Sequence, residues 1–202
     1  MTVDNFELIK PLFYFSEGNN IFFHCQLIRR AKDGGLGVSN KLIKSYFIRS
    51  RNHLEELREE IKLLCNHYGA RAYINVSGKD FSTVNKIMLS ELARLNCDEV
   101  LYEIDPRRVL NSAAGLAKSR EPRWIVDIDN VYSEESIIEW FNDRNIKIRA
   151  IIPTVSGVHL IVSKFNREEF SKSFPGVDIH KNSMGTLLYY SDSTDSTSLE
   201  EV

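Results

Sequence analysis

Two aspartates, Asp127 and Asp129, follow the apolar run Trp124-Ile125-Val126. Residues i and i+2 of a strand point to the same side, so the two carboxylates would project together with Cα atoms about 6–7 Å apart. Their charges repel each other unless a cation binds both. Carboxylate oxygens are ligands that suit Mg²⁺ or Mn²⁺. The pair therefore predicts half of a divalent-metal site, and the alternative is a solvent-exposed strand end that leads into the next helix.

A serine-glycine turn precedes the next histidine of the chain. Pro153 and Gly157 shape a turn that contains Ser156, and a glycine lets backbone N–H groups approach an anion closely. His159 follows within the apolar run Val158 to Val162, where an imidazole could bond a phosphate or orient a ligand. The alternative for His159 is a core histidine that is hydrogen-bonded to a backbone carbonyl.

A third aspartate, Asp178, lies between Val177 and Ile179. Strand alternation would place those two apolar residues on one face and Asp178 on the other. From a neighbouring strand, its carboxylate would complete a metal cage. Lys181, three residues later, could meet a nucleotide phosphate as a point charge. The alternative is a hairpin with a charged outer face.

Apolar periodicity and turn residues predict the elements that must position these groups. Predicted strands lie at 21–28, 42–48, 71–76, 123–128, 147–152, 158–162 and 186–190. The first two form a long hairpin. Helices are predicted to begin at Asn52, at Ser82 or Thr83, at Ser133 and at Asn166, and the first is predicted to stop at Gly69. This interleaving implies an α+β or mixed α/β fold with a central mixed or antiparallel sheet flanked by helices.

Composition is that of a globular protein in a reducing compartment. The 202 residues carry a net charge of −2, so the overall charge does not indicate a nucleic-acid ligand. Arginine and lysine cluster locally between residues 29 and 51 and between 107 and 123. These clusters could bind phosphates of a nucleic acid, and the alternative is an ordinary solvated surface. The cysteines are three in number and lack zinc-site spacing. We find no apolar run of about 18 residues and no secretory signal, so we expect a cytoplasmic protein that does not enter a membrane.

The order of the three motifs resembles the catalytic core of the archaeo-eukaryotic primase (primase-polymerase) superfamily. That family has a D-x-D strand, a serine–histidine strand and a single aspartate on a later strand, and the resemblance covers about residues 120 to 190. The segment from Phe174 to Lys181, with Thr186-Leu187-Leu188-Tyr189, is similar to small phage-type members. The resemblance implies an RRM-like primase-polymerase core at 51–190, preceded by a hairpin region at 1–50. The acidic, serine-rich tail at 191–202 is predicted to be disordered.

The resemblance also implies roles for the residues. Asp127, Asp129 and Asp178 would hold two Mg²⁺ or Mn²⁺ ions, and Ser156 and His159 would contact the triphosphate. The implied partners are nucleoside triphosphates, a DNA or RNA template and other replication proteins. The sequence departs from the family in having two residues rather than one between Ser156 and His159, and it lacks a zinc-binding cluster. Two alternatives are a metal-dependent nuclease and a catalytically silent replication accessory that binds nucleic acid or protein.

Overall fold

The protein has an α+β fold with two antiparallel sheets flanked by helices, which confirms the predicted α+β class. The structure is a computed structural model, and it describes residues 1–15, 20–31, 39–98, 103–119, 121–129, 132–181 and 185–192. The predicted hairpin loop around 32–37 and the tail from 193 onward lie outside the described residues. Ser191, which we assigned to the tail, is the last residue of a strand.

The first sheet contains both early and late parts of the chain. Its strands are β1 (Thr2–Asp4), β2 (Ile21–Arg29), β3 (Lys41–Ile48), β4 (Arg71–Ile74), β5 (Lys79–Asp80) and β10 (Thr186–Ser191). Their order is β1-β10-β4-β2-β3, with β5 beside β2. The predicted hairpin is confirmed, because β2 pairs antiparallel with β3. Strand β2 also pairs with β4, so residues on both sides of position 50 contribute to one sheet.

The second sheet is built from one continuous stretch of chain. Its strands are β6 (Trp124–Ile128), β7 (Ile148–Pro153), β8 (Val158–Val162) and β9 (Asp178–His180), in the order β7-β8-β6-β9. All neighbouring strands are antiparallel. Helix α5 (Glu134–Asp143) joins β6 to β7, and α6 (Arg167–Ser173) joins β8 to β9. The element order of this unit is therefore β-α-β-β-α-β.

The remaining helices pack around the first sheet. They are α1 (Phe6–Ile9), which continues into a 3-10 turn at Lys10–Leu12, α2 (Arg51–Tyr68), α3 (Phe81–Cys97) and α4 (Pro106–Leu116). None of the helices in the described parts of the chain is both long and apolar enough to cross a bilayer.

The helix ends follow capping chemistry, although two predicted starts are wrong. Helix α2 begins after Ser50, whose Oγ accepts a hydrogen bond of 2.9 Å from the N–H of His53, and not at Asn52. Helix α3 begins after Asp80, whose carboxylate accepts from the N–H groups of Ser82 and Thr83. Gly69 ends α2 as predicted, in the left-handed conformation that glycine adopts without strain (φ 56°).

Alternation along β6 decides which way the aspartates point. Trp124, Val126 and Ile128 pack with α5 and α6 in one hydrophobic cluster. Ile125 belongs to a second cluster that also contains Leu188 of β10, so the face of β6 that carries Ile125 is turned toward the first sheet. Asp127 is two residues after Ile125 and shares that face. The candidate site consequently lies in the cleft between the two sheets.

Candidate metal and phosphate site

Asp127 stands in a row of polar side chains that crosses the second sheet. It is directly opposite His159 of β8 on one side and Asp178 of β9 on the other. Residues directly opposite each other in antiparallel strands have Cβ atoms about 4.5–5.5 Å apart and point to the same face. Three side chains that come from separate motifs of the sequence thus adjoin in the order Asp178, Asp127, His159.

Asp129 joins this row from the end of β6. It lines a hollow together with Asp127, Asp178 and Tyr132. The side chain of Asp127 is only 19% exposed, whereas Asp129 and Asp178 are open to solvent. The hollow therefore combines one sheltered carboxylate with two accessible ones, which is a donor set of hard oxygen atoms at an open edge of the sheet.

The serine-glycine turn closes directly onto the end of β6. The turn is held by a 2.9 Å hydrogen bond from the N–H of Thr154 to the oxygen of Gly157, and by a 3.0 Å bond from the N–H of Gly157 to Thr154 Oγ1. A Cβ atom at Gly157 would lie 1.9 Å from the carbonyl oxygen of Ile128. Only glycine allows so close an approach. As a result, Ser156 Oγ donates a hydrogen bond of 2.7 Å to Asp129 Oδ1.

His159 connects the two sheets through its ring nitrogens. The side chain is buried, and Nδ1 lies 2.9 Å from the hydroxyl of Thr186 in β10. Nε2 lies 3.4 Å from Asp127 Oδ1. This geometry differs from that of a core histidine bonded to a backbone carbonyl, because within the described residues both partners of the ring are side chains. The ring is held by the first sheet and directed at the carboxylates of the second.

Strand β4 and the end of β2 in the first sheet contribute two residues that the sequence did not single out for this site. Arg30 and Tyr73 line a second hollow with Asp127, Asp129, Ser156 and His159. Arg30 Nη1 donates a 3.3 Å hydrogen bond to the Tyr73 hydroxyl. A guanidinium group therefore faces the carboxylates across the cleft, where it could meet a phosphate. The signal that could have indicated Tyr73 is the alternation of the polar or aromatic residues Arg71, Tyr73 and Asn75 with the apolar Ala72 and Ile74.

Lys181 does not join the other predicted residues. Its ammonium group lies 4.9 Å from the centroid of the Trp124 ring, on the face covered by helices. Asp178 and Lys181 are three positions apart, and an odd spacing along an extended chain turns side chains to opposite faces. Lys181 is therefore separated from Asp178 because side chains alternate between the two faces of an extended chain.

Arg123, from the basic cluster predicted to approach the D-x-D strand, has a structural role. It is 7% exposed and donates hydrogen bonds to the carbonyl oxygens of Leu12 and Val76. Its guanidinium group also lies 4.8 Å from the centroid of the Tyr14 ring. Arg123 ties the N-terminal segment to the start of β6 and does not reach into the cleft.

The carboxylates are adjacent without forming a closed cage. Among the described residues, no three histidine, cysteine or acidic side chains are arranged so that they could already hold an ion. Asp129 is turned toward Ser156, and Asp127 toward His159. The donor set fits a hard divalent cation in its chemistry, and rotation of the exposed side chains of Asp129 and Asp178 would be needed to converge on one.

No family model, curated protein or solved structure matches this chain.

Proposed function

We propose that the chain is a primase-polymerase-type nucleotidyltransferase in which Asp127, Asp129 and Asp178 bind two Mg²⁺ or Mn²⁺ ions. The observation that carries the proposal is the register of the second sheet, which sets Asp178, Asp127 and His159 side by side. The resemblance predicted that these three motifs work together. Because the three residues are direct cross-strand neighbours, a shared role is better supported than if they lay at unconnected strand ends.

The finer fold assignment, an RRM-like catalytic core, is part of the same proposal. The second sheet has the β-α-β-β-α-β element order of ferredoxin-like units and four strands, as RRM modules have. Both of its connecting helices contribute to one cluster on one face. The opposite face is left for the polar row, and this division of the sheet suits a catalytic surface.

Each residue has a definite task in the proposed reaction. Asp127, Asp129 and Asp178 would hold the ions, which would activate the primer 3′-hydroxyl and neutralise charge on the triphosphate of the incoming nucleotide. Asp127, which lies between His159 and Asp178, would be the least exposed of the three ligands. Ser156 orients Asp129, and Thr186 holds the ring of His159 with Nε2 directed at Asp127, where it would meet the phosphates. Arg30 supplies a positive charge on the opposite wall of the cleft.

The test combines metal binding with nucleotide incorporation. We expect Mn²⁺ to bind, as detected by electron paramagnetic resonance, and labelled nucleotides to be added on primed or unprimed templates. Asp127→Asn removes a charge with little change in shape and should abolish both signals. Asp143→Asn, at an exposed position at the end of α5, is the matched control and should leave both intact. Absence of incorporation with either metal on either kind of template would contradict the proposal.

A catalytically silent binding module is the second candidate, and one observation favours it. Asp127 and Asp129 already have protein partners in His159 and Ser156, and the described residues contain no closed metal cage. A silent module would bind nucleic acid or protein without metal, and its binding would survive Asp129→Ala. A nuclease, in contrast, would degrade the template in the presence of metal and without added nucleotides.

A further inference from the structure

We propose that the groove between β3 and α4 binds a single strand of nucleic acid and leads it to the candidate site. This inference rests on the proposed function, because it assigns the path of the strand on which that function acts. The groove has a volume of about 840 Å³. It is a separate cavity from the hollows around Asp127.

The floor of the groove is apolar and partly aromatic. Leu42 and Phe47 of β3 face Leu110 of α4 across it, and Leu42 is 42% exposed despite its apolar side chain. Flat or apolar side chains in a groove are what unpaired bases stack on, with little dependence on base identity. The floor thus favours a strand whose bases point inward.

The charged residues of the groove are mainly cationic. Arg107 and Arg108 line it together with the acidic Asp105, whereas the side chain of Lys44 is directed to the other face of β3, toward Glu60 of α2. Arg107 is paired with Asp105 at 2.8 Å, and Lys44 is paired with Glu60. Arg108 is exposed, and the described part of the chain gives it no ion pair. It is therefore the side chain best placed to contact a phosphate.

A row of side chains connects the groove with the candidate site. Ser45 of β3 pairs with Gln26 of β2, and Gln26 pairs with Tyr73 of β4. Ser45 lines the groove, and Tyr73 lines the hollow that contains Asp127. Two strand spacings separate them, which is about 10 Å. A strand of nucleic acid can follow this row from the groove to the aspartates.

One polar group along this row is available to a ligand. The side chain of Gln26 is half-buried, and its amide makes no hydrogen bond within the described residues, whereas Ser45 Oγ is fully buried and out of a ligand's reach. Gln26 shares a small polar hollow with His24, Tyr73 and Asn111. Amide and hydroxyl groups can bond base edges or sugars. This continuity with the aspartate site, together with the cationic rim, favours a nucleic-acid strand over a peptide as the occupant.

The test uses charge reversal at two matched helix starts. Arg108 is the third residue of α4 and Arg167 is the first residue of α6, so glutamate in either place benefits from the helix dipole and should not unfold the protein. We would measure fluorescence polarisation of a labelled single-stranded oligonucleotide of about 12 nucleotides, with the full chain and without metal or nucleotide. Arg108→Glu should weaken binding at least about tenfold and flatten its salt dependence, whereas Arg167→Glu should change affinity less than about twofold.

Cross-linking locates the strand independently of affinity. An oligonucleotide that contains 4-thiothymidine should, after irradiation, label peptides that contain Leu42 or Phe47. Equal affinity of Arg108→Glu and Arg167→Glu, cross-links confined to other surfaces, or no binding by the unaltered chain would overturn the inference. The inference would also be overturned if Arg108→Glu weakened the binding of a peptide and left the affinity for the oligonucleotide unchanged.

The two proposals can fail separately. If the unaltered chain binds the oligonucleotide through Arg108 and incorporates no nucleotide, the groove is upheld and the polymerase activity is rejected. If incorporation depends on Asp127 and Arg108→Glu neither weakens binding nor slows incorporation, the groove is rejected and the activity is upheld.

Discussion

The hydroxyl of Ser156 donates a 2.7 Å hydrogen bond to the carboxylate of Asp129, across 27 positions of the chain. The contact joins the serine-glycine turn to the D-x-D strand. Gly157 lies at the point of closest approach to Ile128, and this approach places Ser156 beside Asp129.

Replacing Ser156 by alanine tests whether this contact serves the site or the fold. Ser156 is exposed, so we expect the free energy of unfolding to change by less than about 0.5 kcal/mol. Partners that orient metal ligands commonly contribute about 10–100-fold to affinity or activity. Mn²⁺ titration and incorporation assays should show a loss of that size. A large loss of stability with unchanged metal affinity would assign Ser156 to the fold alone.

Gly157→Ala should damage both the fold and the site. The new Cβ would lie 1.9 Å from the oxygen of Ile128, so the turn must move away from β6. We expect a destabilisation of about 2–4 kcal/mol in urea unfolding, together with loss of Mn²⁺ binding. Gly115→Ala is the control, since nothing lies within 4 Å of its added Cβ and it lies in helix α4. That control should be neutral or more stable by up to about 1 kcal/mol.

Thr186→Val tests the link between His159 and the first sheet. Thr186 is fully buried, and valine has nearly its shape but cannot bond Nδ1 of His159. An unsatisfied buried nitrogen costs about 1–3 kcal/mol. Urea unfolding should show that loss, and a double-mutant cycle with His159→Leu should give a coupling energy of about 0.5–3 kcal/mol. A coupling energy of zero would mean that the contact contributes nothing.

His24 should make the protein sensitive to mild acid. Burial, supported by the nearby charge of Lys79, lowers the pKa of His24 from 6.5 to about 4, and the hydrogen bond with Asn111 opposes this shift. Because the pKa in the folded state is below that of the unfolded state, the contribution is complete above pH 6.5 and is lost as the pH falls toward 4. A shift of this size corresponds to about 3 kcal/mol.

Urea unfolding of the unaltered chain and of His24→Gln over this pH range would measure the effect. The stability difference between the two should diminish steadily as the pH falls. His67→Gln, at an exposed position near the end of α2, is the matched control and should follow the unaltered chain throughout. Parallel curves for His24→Gln and the unaltered chain would show that His24 is not the acid-sensitive group.

Short-range chemistry made much of the fold predictable. The hairpin strands, the left-handed Gly69 and the capping Ser133 follow from alternation, backbone preference and side-chain hydrogen bonding within a few residues. The helix start at Asp80 was missed because Ser82 and Thr83 are equally good caps in sequence. Only the structure tells which side chain has its oxygen beside the free N–H groups.

The sequence could predict the site residues that lie on the strands of the second sheet, but not those that lie across the cleft. Asp127, Asp129 and Asp178 came from strand alternation and the family pattern, and the same alternation, applied to Lys181, would have placed it on the opposite face. Tyr73 and Thr186 belong to the other sheet, and Arg30 directly follows strand β2 of that sheet. Their proximity to His159 depends on how the two sheets pack, and no local pattern encodes that packing.

The continuity of the second sheet has a consequence for the order of folding. All of its strands lie between Trp124 and His180, whereas the first sheet pairs Thr2 with Ser191. Contacts between residues close in the chain form at lower entropic cost than contacts that close a long loop. We therefore expect the sheet that carries the aspartates to form early and the cleft to close late, when β10 inserts between β1 and β4 and brings Thr186 to His159.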